Sequence, residues 1–296
     1  MLAYNKLLNN LEILKMDKIR NYLPNYLETI AAQDISFVDA MLELTEKEIE
    51  FKNQRASKIQ VAVSAFPFEK ELSDFDFDYQ PSINKKEIYD LATLRFLENK
   101  ENILFYGNSG VGKSHLAVSL GIVAAKKRFI TYFISCHDLI TQLNKAHSEN
   151  RLEAKLKHYG KYKLLIIDEI GYLPIDKQGA NLLFQLIARR YEKNSTIITT
   201  NQMFSKWGEV FSDPVIANAL LDRLIHHSHI IKIKGSSYRI KDKIDMSESG
   251  DSTGKSDYNN CALWDYNNCA FLPWHLQYIL HKLIPEIFQS KEERYA

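Results

Sequence analysis

The chain has 296 residues, 45% hydrophobic and 11% aromatic, which is enough apolar surface for a folded core and excludes disorder along the whole length. Its 11 glycines and 7 prolines fall below the usual shares of about 7% and 5%, favouring helices over a loop-rich all-β or fibrous architecture. The formal net charge of +1 is unevenly spread: residues 1–80 carry 9 basic against 14 acidic side chains, 81–243 carry 25 against 15, and 244–296 carry 4 against 8. A basic middle between acidic flanks suits a domain that meets a polyanion, though a basic surface also occurs without a partner. No apolar run approaches the roughly 18 uncharged residues of a membrane span, and the opening MLAYNKLLNNLEILKMDK lacks a secretory apolar segment. No membrane association and a cytoplasmic location are therefore expected. Cys136, Cys261 and Cys269 form no CxxC and have no ligand-spaced histidines, which argues against a zinc site or a disulfide framework.

In chain order, Leu7, Leu8, Leu11 and Leu14 recur at helical spacing, and Ser36 with Asp39 forms an S-x-x-D cap ahead of Met41, Leu42 and Leu44. Residues 1–65 are read as a small helical domain. The stretch FPFEKELSDFDFDYQPS loses the periodicity and gathers aromatics and prolines, so a linker is placed at 66–84. From Asn102 the short apolar runs NILFY, ITYFIS, KLLIID, STIITT and HIIKIK alternate with amphipathic stretches, which predicts an α/β domain over 85–243 with a parallel sheet wrapped by helices. Residues 244–296 begin as the polar, acidic DMSESGDSTGKSD, repeat DYNNCA at 257–262 and 265–270, and end in WHLQYILHKLIPEIF. This tail is read as an appendage outside the chemistry, with a docking helix on Leu276, Ile279, Leu280 and Leu283 as the alternative.

The strongest motif is GNSGVGKS, spanning Gly107, Asn108, Ser109, Gly110, Val111, Gly112, Lys113 and Ser114, a G-x-x-x-x-G-K-[ST] phosphate loop. It follows the run NILFY and precedes Leu116, Leu120 and Val123 at helical spacing, as a strand–loop–helix cradle requires. Glycines let backbone N–H groups close around phosphate oxygens. Lys113 is then expected to reach the β and γ phosphates of ATP, and the Ser114 hydroxyl to ligate Mg²⁺. The run KLLIIDE ends in adjacent carboxylates: Asp168 is assigned to the magnesium and Glu169 to polarising the attacking water. STIITTNQ places Asn201 at a third strand end, where an amide can orient water or contact the γ-phosphate.

GNSGVGKSHLA, LLIIDEIGYLP, IITTNQ, ALLDRLIHHS and KGSSYRIK, in this order, closely resemble the IstB family of insertion-sequence helper ATPases, itself similar to the DnaC and DnaA clade of AAA+ proteins. The resemblance covers about residues 1–243, including the DFDF element at 74–77, and implies a P-loop AAA+ ATPase core behind a small helical N-terminal domain. It extends the nucleotide-binding string to His115. It implies that Arg223 is an arginine finger acting on a neighbouring subunit and that Arg239 is the second sensor arginine, contacting nucleotide within its own subunit. A homo-oligomer with shared ATP sites, assembled on duplex DNA and serving the transposase of the same element, is the implied function. Lys145, Arg151, Lys155 and Lys157, between the second and third strands, are candidates for DNA phosphate contacts, with a solvated helix face as the alternative reading. His226, His227 and His229 follow the finger with no carboxylate partner expected near and are read as packing or interface residues. A DnaC-like replicative helicase loader is the main alternative; a small-molecule kinase fits poorly, because it leaves the DE pair, TTN and the late arginines without a task.

Overall fold

The computed structural model describes residues 2–240. The acidic linker, the DYNNCA repeats, Cys261, Cys269 and the tail helix candidate lie outside the described residues. The chain opens with α1 (Leu2–Ile13), α2 (Asp17–Gln33) and α3 (Phe37–Val63). Leu11, Ile19, Leu23, Tyr26, Ala40 and Leu44 form their shared core. The Ser36 cap is present, its hydroxyl accepting from Asp39 N at 3.2 Å.

The buried face differs from the expected one. Leu7 and Leu14 are exposed on α1 and beyond its end, and Met41 and Leu42 are exposed on α3, whose inward residues are Ala40, Leu44 and Glu48. Glu48 takes this apolar-period position because its carboxylate accepts from Lys18 N at 2.9 Å and Ile19 N at 3.0 Å, satisfying the free amides that start α2. Periodicity counts hydrophobic residues and is blind to a buried cap of this kind.

The remaining elements are α4 (Lys85–Leu91), α5 (Arg95–Asn99), β1 (Asn102–Gly107), α6 (Lys113–Lys126), β2 (Thr131–Ser135), α7 (Cys136–Ser148), α8 (Leu152–Gly160) and β3 (Leu164–Ile170), followed by α9 (Lys177–Arg190), β4 (Ser195–Thr200), α10 (Trp207–Val210), α11 (Pro214–Ile225) and β5 (Ser228–Ile233). The five strands form one parallel sheet in the order β2-β3-β4-β1-β5. Each of the five apolar runs singled out in the sequence supplies one of them. Their side chains alternate between two cores: Leu104, Leu165, Ile167 and Ile198 face α7, α9 and α11, whereas Ile103, Phe105, Ile166 and Ile197 face α5 and α6.

The stretch expected to be a linker packs on the second of these cores through Leu72, Phe75 and Ile83. Its aromatic residues, which broke the helical period, are the ones that fill the space beside the phosphate loop. The N-terminal helices are also tied to the sheet domain, by Phe133 N to Ser64 O at 2.9 Å and Ser57 Oγ to Lys126 O at 3.1 Å. Arg190 anchors the turn between α9 and β4: wholly buried, it donates to Tyr159 O at 2.9 Å, Tyr162 O at 2.8 Å, the Thr196 hydroxyl at 3.0 Å and Ser195 O. Burial pushes its pKa down, and four oxygen acceptors compensate for the lost hydration.

Candidate nucleotide site

The loop between β1 and α6 lies where three strand ends meet. Gly107, Gly110 and Gly112 all have positive φ, and at all three the space is closed as well, at Gly107 by Ile233 O. A Cβ on Gly110 would sit 2.0 Å from Ser237 Oγ, and one on Gly112, at φ +99°, would sit 2.5 Å from Phe75 Cε2. The segment after β5 closes over the loop, with Tyr238 N donating to Gly110 O at 2.9 Å. The loop is thereby held by sequence more than a hundred residues downstream and by the DFDF element upstream.

Lys113 folds back onto the loop, its ammonium donating to Gly107 O at 2.8 Å and Asn108 O at 2.6 Å. Burial lowers its pKa, opposed by the charges of Asp168 and Glu169 and reinforced by Arg239. The Ser114 hydroxyl lies 2.8 Å and 3.0 Å from the two oxygens of Asp168, which is 9% exposed. A hydroxyl and a carboxylate at this separation make a hard oxygen donor set of the sort a magnesium ion shares with phosphate and water, so the residues fit that ion.

The tip of β3 departs from simple alternation. The β3–β4 register shifts between Ile167 and Ile170, and Glu169 adopts a left-handed backbone at φ +62°. This break turns Asp168 inward and leaves Glu169 exposed at the cavity edge. Thr199 holds the break in place: its hydroxyl donates to Asp168 Oδ1 at 2.5 Å and accepts from Glu169 N at 2.9 Å. The sequence reading passed over Thr199, although it stands two residues before Asn201 in the TTN string.

A cavity of about 280 Å³ opens above these groups. Ser109 through His115, Glu169, Asn201 and Arg239 all line it, so four of the five motif strings converge on one space within a single chain. Phe68, Phe75, Gln80 and Tyr238 line it too; Phe75 lies in the DFDF element and Tyr238 in the KGSSYRIK string, but none of the four was given a role of its own, and for the first three the aromatic density of 66–82 was the available signal. His115 packs edge-on against Phe75 and Phe68, with Nε2 3.2 Å from Glu71 O, and burial lowers its pKa.

Arg223 is not among the lining residues. It projects from α11, its guanidinium 4.5 Å above the Phe184 ring and 3.2 Å from Ala219 O. The basic candidates sit on α7, α8 and the turn between them. Lys145 and Lys157 are exposed, Arg151 pairs with Glu149, and Lys155 lies 5.1 Å over the Tyr159 ring. The histidines after α11 differ from expectation, because folding supplies the carboxylates that the sequence did not place nearby. His229 Nε2 is 3.1 Å from Glu101 and His227 Nε2 is 3.6 Å from Glu192.

Among the described residues no helix is long and apolar enough to cross a membrane. The sequence model of the IstB-like ATP binding protein family matches residues 9–246. The chain is 55% identical over 240 residues to the putative ATP-binding protein of insertion sequence IS232 from Bacillus thuringiensis, covering 81% of this chain and 96% of that one. It is 41% identical over 230 residues to the corresponding protein of IS21 from Pseudomonas aeruginosa, covering 78% and 87%. Among solved structures, AMPPCP-bound DnaA from Aquifex aeolicus is 20% identical, with a TM-score of 0.47 and coverage of 62% of this chain and 57% of that one.

Proposed function

The chain belongs to the IstB-like ATP-binding protein family, and from that premise we propose that it is an ATPase working as a DNA-bound assembly in the service of a transposase. The observation that carries this reading is the division of the site: Lys113, Ser114, Glu169, Asn201 and Arg239 line one cavity, with Asp168 bonded to Ser114, while Arg223 is not among the lining residues and stacks on Phe184. In this reading ATP places its phosphates on the loop amides, and Lys113 exchanges its two carbonyl partners for β and γ oxygens. Ser114 and Asp168 would hold a magnesium ion, which when bound would supply positive charge against the phosphates. Glu169, exposed beside them, takes the proton of the attacking water, with Asn201 orienting that water. Arg239 contacts the nucleotide in cis. Arg223 enters the site of the next subunit and stabilises charge on the transferred phosphoryl group.

Because the finger comes from a neighbour, turnover requires assembly. ATP between subunits favours the assembled state, and hydrolysis releases it. The basic surface of residues 81–243, including Lys145, Arg151, Lys155 and Lys157, meets the duplex backbone, so binding is weakly sequence-dependent and falls steeply with salt. The chain's relatives belong to insertion sequences, which supports the transposase of the same element as the partner whose target choice it serves.

The test is ATP hydrolysis by the purified chain across a range of protein concentrations, with and without duplex DNA. Specific activity that climbs with concentration and with DNA is the expected result. A rate independent of both would overturn the shared-site reading.

A further inference from the structure

Glu192, His226 and His227 each offer a ligand atom, and the three atoms lie within 4.8 Å of one another. The cluster lies outside the nucleotide cavity. Glu192 stands in the turn after α9, and the two histidines follow the last turn of α11, so the group exists only in the folded chain.

Both backbones that carry it are fixed. The buried Arg190 pins the α9–β4 turn through the oxygens of Tyr159, Tyr162, Ser195 and Thr196. His226 N donates to Asp222 O at 3.1 Å, and His227 O accepts from Asn102 N at 2.7 Å. The side chains themselves are exposed, so they can close the remaining distance to a common centre without disturbing the core. His226 also has a neighbouring hydrogen-bond partner: the Tyr191 hydroxyl lies 2.7 Å from its Nδ1 and also interacts with Glu192. A second-shell hydrogen bond of this kind is what fixes the ring of a metal-binding histidine.

We propose that Glu192, His226 and His227 form a binding site for a divalent transition ion of the zinc class, which ties the end of α11 to the α9–β4 turn. Two imidazoles and one carboxylate suit zinc and leave a coordination position open, whereas magnesium prefers an all-oxygen shell. The site is thus chemically distinct from the cation position at Ser114 and Asp168. Arg223 lies one turn before His226 on α11 and stacks on Phe184 of α9, so the ion bridges the same two elements that hold that arginine.

The experiment uses the full chain carrying Cys261→Ser and Cys269→Ser, which removes the tail thiols from the count. The protein is stripped with EDTA, dialysed, and titrated with Zn²⁺ alone against a chromophoric chelator. Hydrogen exchange of residues 222–228 is followed in parallel. The expected result is one equivalent whose affinity falls by about 10- to 100-fold or more in His226→Gln/His227→Gln and in Glu192→Gln, together with slower exchange on Zn²⁺ addition that the variants lose. ATP binding should be the same in all three proteins, showing that each is folded. Equal Zn²⁺ affinity and stoichiometry in the variants, or unchanged exchange in the parent despite binding, would overturn the proposal.

Discussion

The phosphate-loop end of the sheet and the flank formed by α11 each present an arginine, in opposite circumstances. Arg239 follows β5 and lines the cavity that contains Lys113, Glu169 and Asn201. Arg223 sits on α11 with its guanidinium over Phe184 and is not among the residues that line that cavity. One region is a nearly complete site; the other offers a cation that its own chain does not use there. In the proposed reading, the difference means that a single subunit binds nucleotide with its own groups while the transition-state charge awaits a second one.

The sharpest way to break this comparison is Arg223→Ala. It should keep ATP affinity and lose about 10³-fold or more in turnover, as removal of an arginine finger does. Mixing it with Lys113→Ala subunits should restore part of the activity, because an intact loop then meets an intact finger; normal DNA-stimulated turnover by Arg223→Ala alone would remove the role.

Lys113→Ala attacks the other side. Losing a charged contact to phosphate costs about 1.5–3 kcal/mol, or roughly 10- to 150-fold in nucleotide affinity, with nucleotide-dependent assembly lost as a result. Equilibrium binding of a labelled nucleotide and sedimentation would check both.

Gly112→Ala tests the shape of the loop. At φ +99° and with Phe75 in the way, the substitution should cost about 1–2 kcal/mol in thermal stability from backbone strain and also weaken nucleotide binding. Phe75→Leu in the same chain should recover some of the loss if the contact with the ring matters.

The smallest expected effect concerns pH. His115 has a folded-state pKa below its ordinary value of 6.5 because it is buried. Its contribution to stability is therefore present above that ordinary value and is lost as pH falls from there toward the lowered folded value, since the unfolded chain takes up the proton first. Urea midpoints at about pH 7 and pH 5.5 should differ by less in His115→Gln than in the parent.

Much of the nucleotide site was legible because the motif residues make it by local sequence. GNSGVGKS must follow a strand and start a helix to cradle phosphate, and KLLIIDE must end at the same edge, so their spacing already implied one cavity. Thr199 was not legible, since nothing in TTN says that its hydroxyl joins Asp168 to the amide of Glu169 across two strands. Nor was the seat of Phe75 against Gly112, where a stretch with the composition of a linker becomes a wall of the pocket. The carboxylates beside the histidines after α11 were not legible for the same reason: Glu192 approaches His226 and His227 only because α9 and α11 pack side by side, with Arg190 fixing the turn between α9 and β4.

The amino-acid order by itself determined the strands, the phosphate loop, the paired carboxylates and the family, because each depends on residues that are neighbours along the chain. Only the tertiary structure decided that Glu48 caps α2 from within a core, that Arg239 shares a cavity with Lys113 while Arg223 does not, and that Glu192 meets His226 and His227. These arrangements come from packing between segments far apart in sequence, where side-chain shape, burial and the need to satisfy buried polar groups select the partners.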